Sequence, residues 1–103
     1  MERYKVEITD QALSDLEDIY RYIAEKLSAP DTAIQLYDRL MGAVLSLERF
    51  PARAALVSFE PERSAGLRRL NVGRYAIFFL AGETCVRVTN ILYGSSDVET
   101  RLK

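Results

Sequence analysis

The spacing of apolar residues changes half-way along the chain, and this change limits the possible fold more than any other feature of the sequence. Up to about residue 47, apolar residues recur every three or four positions, as they do in helices with one buried face. The first stripe runs from Leu13 to Leu27 and the second from Ala33 to Leu47. After residue 66, short runs rich in β-branched and aromatic residues are typical of strands. The pattern therefore predicts a pair of helices followed by a sheet.

Capping residues place the limits of the two helices. Thr9 or Asp10 can accept hydrogen bonds from the first free backbone N–H groups, so the first helix is predicted to begin there. Ser28-Ala29-Pro30-Asp31 ends it and starts the second helix, since proline is tolerated in a first helical turn. The second helix is predicted to continue to about Arg49, where Phe50-Pro51 stops it. So short a link makes the two helices an antiparallel hairpin.

Four segments have the pattern of strands, one before the helices and three after them. Tyr4–Ile8 alternates apolar and charged residues, as a strand with one wet face does. Glycine-containing turns join the later three, which are Leu67–Val72, Tyr75–Leu80 and Cys85–Leu92. Residues 52–66 are predicted to be a surface loop with room for one helical turn. The tail after Tyr93 is predicted to end in a short helix capped by Ser95 or Ser96.

These elements define an α+β domain of the order β-α-α-β-β-β. An N-terminal strand and an antiparallel helical hairpin precede a three-stranded antiparallel run, and one sheet face packs on the helices in two layers. The length predicts a single domain spanning residues 1–103. The first strand must pair within the later sheet to bury its apolar side, but the pattern does not identify its neighbour.

The composition excludes several kinds of chemistry. The chain contains no histidine and one cysteine, Cys85, so histidine triads, zinc clusters and intrachain disulfides are excluded. Neither a metal nor a cofactor is expected. No apolar run approaches the length of a membrane span, and no signal peptide is visible. A cytoplasmic location fits the absence of disulfides.

Charge is distributed unequally between the two halves of the chain. Residues 1–51 contain six basic and ten acidic residues, whereas residues 52–103 contain eight basic and five acidic ones. The basic residues of the second half are Lys103 and seven arginines, a residue that suits forked contacts to phosphate or carboxylate groups. The sequence thus predicts an acidic helical half joined to a modestly basic sheet.

Four segments, taken in order, resemble the RelE/ParE superfamily of type II toxins. They are Tyr4–Ala24, Leu47–Pro51, Leu67–Phe79 and Val86–Asp97. The resemblance implies a toxin that a cognate antitoxin silences in a heteromeric complex, through an acidic, partly disordered tail and without a membrane. It also implies one of two targets. RelE-type members cut mRNA in the ribosomal A site, and ParE-type members act on DNA gyrase.

The resemblance also suggests the site residues. In a RelE-like nuclease, Arg68, Arg69 and Arg74 would bind phosphate, and Tyr75 or Tyr93 would transfer a proton. As a binding surface for the target or the antitoxin, the same five residues would act together with Arg101. The antitoxin tail is expected to cover Arg68, Arg69 and Arg74.

The residues near Tyr75 favour the gyrase-directed branch. RelE-like enzymes often have arginine where this chain has Tyr75, and a histidine or a basic pair where it has Tyr93-Gly94-Ser95-Ser96. Tyr75–Phe79 resembles the Tyr-x-Ile-Phe-Tyr pattern of the ParE branch. A ribosome-dependent mRNA endonuclease is the alternative, and an inactive module that only binds antitoxin is a second one.

Each of these residues also has a structural interpretation. Arg68 and Arg69 are adjacent, so only one can face the open side of the sheet, and the other is expected to pair with a carboxylate such as Glu60 or Glu62. Tyr75 and Tyr93 would cap the core. Packing roles are expected for Tyr20, Tyr22 and Tyr37, and Asp97 is expected to organise the tail through side-chain to backbone hydrogen bonds.

Overall fold

The computed structural model describes residues 3–94 and 97–102 of the chain. Its elements are β1 (Lys5–Ile8), α1 (Asp10–Arg21), α2 (Pro30–Ser46), β2 (Ala55–Leu56), β3 (Leu67–Val72), β4 (Tyr75–Ala81), β5 (Cys85–Tyr93) and α3 (Val98–Leu102). A π-helical turn, Tyr22–Lys26, extends α1, and a 3₁₀ turn, Pro51–Arg53, follows α2. The predicted helical hairpin, formed by α1 and α2, and the predicted strands are confirmed.

Local hydrogen bonds explain where the helices begin and end. The hydroxyl of Thr9 accepts a hydrogen bond from the N–H of Ala12 at 3.1 Å and so caps α1. α2 ends at Ser46, three residues before the predicted end at Arg49. There the guanidinium of Arg53 donates to the carbonyl of Arg49 and to the hydroxyl of Ser46, each at 2.8 Å. These contacts satisfy groups that a helix end leaves unpaired.

The sheet has five strands in the order β1-β5-β4-β3-β2. β1 pairs with β5 in parallel, from Lys5 opposite Cys85 to Ile8 opposite Val88, and the other neighbours are antiparallel. The predicted architecture, a first strand plus a three-stranded antiparallel run, is therefore corrected to a mixed five-stranded sheet. The additional strand, β2, lies within the segment predicted to be a loop, and its two residues are too short to show a period.

Both faces of the sheet carry apolar clusters. The face towards the helical hairpin buries side chains such as Leu16, Leu40, Ile77 and Phe79. The far face, which the sequence suggested was open, has its own cluster of Val57, Leu67, Ala76, Phe78, Leu92 and Val98. Leu102 of α3 and Phe59 pack against it. The far face is therefore partly covered, because β4 places apolar residues on both of its sides.

A β-bulge in β5 resets the direction of its side chains. Phe78 lies opposite Asn90 and Phe79 opposite Val88, so Thr89 is the extra residue. As a result Val88 and Ile91, three positions apart, both point into the helical side, and Leu92 joins the far face. Strict alternation from Val88 would instead have placed Leu92 on the helical side and Ile91 on the far face.

The tail forms the short helix α3, as predicted. Asp97 accepts hydrogen bonds from the N–H of Thr100 at 3.4 Å and from its hydroxyl at 2.7 Å, which confirms its organising role. The predicted cap at Ser95 or Ser96 lies outside the described residues. Within residues 3–94 and 97–102, no helix is long and apolar enough to span a membrane.

Candidate functional site

Tyr75 and Tyr93 meet at one end of the sheet. Tyr75 begins β4 and Tyr93 ends β5, and the two residues are direct cross-strand partners. Their rings stand edge to face, with centroids 5.5 Å apart and planes at 79°. This arrangement is favourable for aromatic pairs, because a positive ring edge meets a negative ring face. The prediction that these two residues share one site is consistent with this geometry.

The tyrosine pair forms one wall of a groove of about 660 Å³, which we call the tyrosine groove. Tyr22 of the π-helical turn, with 57% of its surface exposed, lies on its rim. Arg101 of α3 and Asp18 of α1 also line it. The groove is therefore built by separate segments, namely the extended α1, the start of α2, the adjoining ends of β4 and β5, and α3.

Burial raises the pKa of Tyr75 above its ordinary value, and the neighbouring phenols of Tyr93 and Tyr22 raise it further. A tyrosine with a raised pKa remains protonated at neutral pH. It can donate or accept a hydrogen bond as a phenol, but it is a poor general base. The local environment therefore suits Tyr75 to binding better than to proton abstraction.

Arg69 lies on the far face, in contact with the end of β5. Its Nε donates to the side-chain oxygen of Asn71 at 2.8 Å, and its Nη2 donates to the carbonyl of Gly94 at 3.2 Å. The guanidinium carbon also lies 5.6 Å from the centroid of the Phe78 ring, within cation–π distance. Arg69 is therefore held by contacts within the protein itself.

Arg68 points to the opposite side of β3 from Arg69, as the alternation predicted. It lies opposite Phe79, whose ring belongs to the cluster beneath the helices. Its Nη1 donates to the backbone carbonyl of Ala54 at 2.6 Å. Arg68 thus fastens β3 to the segment that precedes β2 and stands apart from the tyrosine pair.

Arg74 is exposed in the turn between β3 and β4. Arg69, Asn71, Arg74 and the tyrosine pair together line a shallow depression next to the tyrosine groove. Arg39 of α2 approaches the same turn, since a Cβ on Gly73 would lie 3.3 Å from its Nη2. Over the described part of the chain, neither the Arg39 nor the Arg74 guanidinium has a hydrogen bond or an ion pair. These two cations remain available to an anionic partner.

Three residues of this region were not predicted to belong to the site. Tyr22 was expected to pack, but the π-helical turn widens the helix there and leaves the ring exposed on the groove rim. Asp18 and Arg39 occupy polar positions of helices, where most charged residues are simply solvated. Only the tertiary structure brings Arg39 to Gly73, so no local pattern could have identified it.

A second groove of about 440 Å³ lies between the two helices of the hairpin. Tyr20 and Tyr37 form its centre, with ring centroids 6.1 Å apart and planes at 84°. Ile34, with 49% of its surface exposed, adds apolar area, and Glu17, Arg21 and Glu25 supply charges around it. Tyr20 and Tyr37 do pack against each other, as expected, but they also form a surface suited to an apolar partner segment.

Neither site offers the donors of a metal centre. Across the described residues, no group of three or more cysteine, aspartate or glutamate side chains could hold a metal ion. What the end of the sheet offers instead is phenols, guanidiniums and apolar surface. These groups suit the recognition of a protein or a phosphate.

Comparison with solved structures finds the same fold in two toxin–antitoxin systems. The chromosomal ParDE toxin–antitoxin system from P. aeruginosa matches with a TM-score of 0.73 and 20% identity, over 88% of this chain and 96% of that one. The toxin–antitoxin complex RelBE2 from Mycobacterium tuberculosis matches with a TM-score of 0.63 and 20% identity, over 90% of this chain and 93% of that one. No curated protein sequence matches the chain significantly.

The match to a toxin family model, together with the fold shared with the two complexes, identifies the chain as a type II toxin of the RelE/ParE superfamily. Within that class, the model of the ParE toxin of the type II toxin–antitoxin system parDE matches residues 6–98. The chain therefore belongs to the ParE toxin family, within the superfamily that the ordered sequence segments resemble.

Proposed function

We propose that this toxin acts by binding and inhibiting DNA gyrase, and that it does not cut RNA. The observation that carries the proposal is the state of the predicted catalytic groups at the end of the sheet. Tyr75 has a raised pKa, and Arg68 and Arg69 both donate hydrogen bonds to groups inside the protein. What remains exposed, Arg74 and the phenol rings, is suited to recognition.

The alternative, cleavage of mRNA, requires more from the same residues. Attack by a ribose hydroxyl needs a base to accept its proton and preorganised cations around the phosphate. The phenol of Tyr75 stays protonated at neutral pH and is therefore a poor base, and Arg69 cannot turn all of its donors to a phosphate while it holds Asn71 and Gly94. The match to the ParE model supports the same choice of branch.

Purified toxin, gyrase and relaxed plasmid would test this proposal. Inhibition of supercoiling at micromolar toxin is expected, with DNA damage when the toxin is induced in cells. Toeprinting on translating ribosomes is expected to show no cleavage in the A site. Cleavage there with intact supercoiling would establish the endonuclease instead, and normal growth on induction would indicate a module that only binds antitoxin.

We further propose that an acidic, partly disordered antitoxin segment neutralises the toxin in a heteromeric complex. Two surfaces support this proposal. The groove around Tyr20 and Tyr37 can bind an apolar helix face, and Arg39 and Arg74 can pair with carboxylates. Arg68 and Arg69, which the sequence also assigned to the antitoxin, make internal contacts. We therefore assign antitoxin binding to Arg39 and Arg74.

Charge reversal would test the antitoxin proposal. Replacing Arg39 and Arg74 by glutamate is expected to weaken binding of the antitoxin encoded beside the toxin by about tenfold or more, because a repulsive pair replaces an attractive one. The control for the loss of positive charge is Arg87→Glu, because Arg87 is an exposed arginine of β5 whose neighbour is Glu7 of β1. Equal affinities of all variants would contradict this assignment.

The proposal treats residues 1–103 as one toxin domain, which the match over residues 6–98 supports. It also places the protein in the cytoplasm, because that is where bacterial gyrase acts on DNA.

A further inference from the structure

Gly94 is enclosed by two groups of the β3–β4 region. Its N–H donates to the carbonyl of Arg74 at 2.7 Å, and its own carbonyl accepts from Nη2 of Arg69 at 3.2 Å. A Cβ at this position would lie 2.9 Å from that Nη2 and 3.1 Å from the Arg74 carbonyl oxygen. Both distances are shorter than ordinary contacts, so the close approach requires a glycine here.

The same guanidinium is fixed on its other sides. Asn71 accepts from its Nε, and the ring of Phe78 lies beneath it. A planar guanidinium can make several such contacts at once, whereas a lysine ammonium cannot reproduce the geometry. Arg69 therefore links strand β3, the ring of Phe78 and the end of β5.

The end of β5 carries groups of the tyrosine groove on both sides of Gly94. Tyr93 precedes it, and Arg101 follows on α3. α3 has five residues, which is too short for a helix to be stable alone, and it is held by Val98 and Leu102 on the far-face cluster. Gly94 directly follows Tyr93 and its N–H bonds to the carbonyl of Arg74, so fixing Gly94 helps to fix where Tyr93 lies relative to Tyr75 and Arg74.

We infer that Arg69 is a positioning residue, which holds Gly94 and thereby sets the geometry of Tyr93 for target binding. The part of this inference that concerns target binding rests on the proposed function. It differs from the sequence-based assignment, in which Arg69 itself touched the target or the antitoxin. The two assignments make opposite predictions for variants that keep the charge but disturb the contact.

Two such variants test the inference. Gly94→Ala keeps every charge but places a methyl group against Arg69. Arg69→Lys keeps the positive charge but removes the planar guanidinium group that makes the forked contacts. Each is expected to raise the toxin concentration needed for half-inhibition of gyrase about tenfold. The matched controls are Gly42→Ala, where a Cβ meets nothing within 4 Å, and Arg87→Lys. Both controls are expected to behave like wild type.

A double-mutant cycle separates positioning from direct contact. Gly94→Ala is expected to cost less in the Arg69→Gln background than in the wild type, because the 2.9 Å approach to Arg69 is then absent and only the 3.1 Å approach to the Arg74 carbonyl remains. Wild-type inhibition by Gly94→Ala, or independent effects of the two changes, would overturn the inference and return Arg69 to the binding surface.

Hydrogen exchange gives a readout that does not depend on gyrase. The amide at position 94, which bonds to the Arg74 carbonyl at 2.7 Å, is expected to exchange about tenfold faster in both variants. Unchanged exchange in folded variants would contradict the positioning role. If the wild type fails to inhibit gyrase but exchange responds as expected, the proposed function fails and the positioning contact stands.

Discussion

The carboxylate of Asp15 accepts a hydrogen bond from the backbone N–H of Ile91, with 3.0 Å between Oδ2 and the nitrogen. Ile91 follows the β-bulge of β5, where the ladder to β4 is interrupted. Gln11 donates to the other carboxylate oxygen at 2.8 Å, and only 7% of Asp15 is exposed. One buried side chain of α1 thus satisfies a donor that the bulge would otherwise leave unpaired.

Asp15→Ala is therefore expected to lower the free energy of unfolding by about 2–3 kcal/mol, because a buried N–H loses a charged acceptor. Asp15→Asn should lose less, since an amide oxygen can still accept. Urea unfolding measures both changes. Asp38→Ala, at an exposed position of α2, is the control, and an equal effect of the two alanine variants would contradict the role given to Asp15.

Tyr75 is expected to make stability depend on alkaline pH. Its pKa is raised in the folded protein, so between the ordinary value of 10.0 and the raised one the folded state binds more protons than the unfolded chain. The contribution of Tyr75 to the free energy of unfolding is fully present below the ordinary value and falls as pH rises through this window. Tyr75→Phe should weaken that fall in urea unfolding at increasing pH. Identical pH profiles of wild type and Tyr75→Phe would exclude the effect.

Phe50 has a backbone φ of 47° although it is not glycine, and 70% of its side chain surface is exposed. Phe50→Asn is expected to raise the free energy of unfolding by up to about 1 kcal/mol, because asparagine tolerates the left-handed region and little burial is lost. Chemical denaturation would measure the gain. Leu45→Asn, which also removes an exposed apolar side chain, should not raise the free energy of unfolding. A lower free energy of unfolding in Phe50→Asn would contradict the prediction and indicate that the Phe50 ring packs against the protein.

Glu60 accepts hydrogen bonds from the backbone N–H and the hydroxyl of Ser64, each at 2.8 Å. These bonds, with a smaller contribution from Arg63, lower the pKa of Glu60 below its ordinary 4.5. The stabilisation is present above that ordinary value and is lost as pH falls through the lowered one. Ser64→Ala should raise the pKa of Glu60, which carboxyl NMR titration would detect. Ser58→Ala is the control, and an unmoved titration in Ser64→Ala would contradict the cause.

The helical half of the fold could be predicted closely from the sequence, because its signals are local. The stripes from Leu13 and from Ala33 fix both helices, and Thr9 and Pro30 fix where they begin. The sheet was harder to predict. The partner of β1 lies about eighty positions further along the chain, and no local pattern encodes that distance. The bulge at Thr89 also reverses the facing of later residues, which strict alternation cannot foresee.

Only the part of the candidate site that depends on local signals could be predicted from the sequence. Tyr75 and Tyr93 border turns, so the sequence places them at one end of neighbouring strands. The sequence could not tell which arginines are consumed internally, because the partners of Arg69 are a backbone carbonyl, a ring and an amide side chain from other positions. Arg39 could not be linked to the turn at Gly73 without knowing how α2 crosses the sheet.

The parallel pairing of β1 with β5 has a consequence for synthesis of the toxin. β5 lies between β1 and β4, so the strand made last among the five occupies an interior place in the sheet. While the ribosome is still translating residues before Cys85, β1 has no edge on which to pair, and α1 has no acceptor strand for Asp15. Such long-range pairing delays folding until nearly all of the chain has emerged. We therefore expect the nascent chain to remain harmless until its final strand leaves the exit tunnel, which gives an antitoxin time to meet it first.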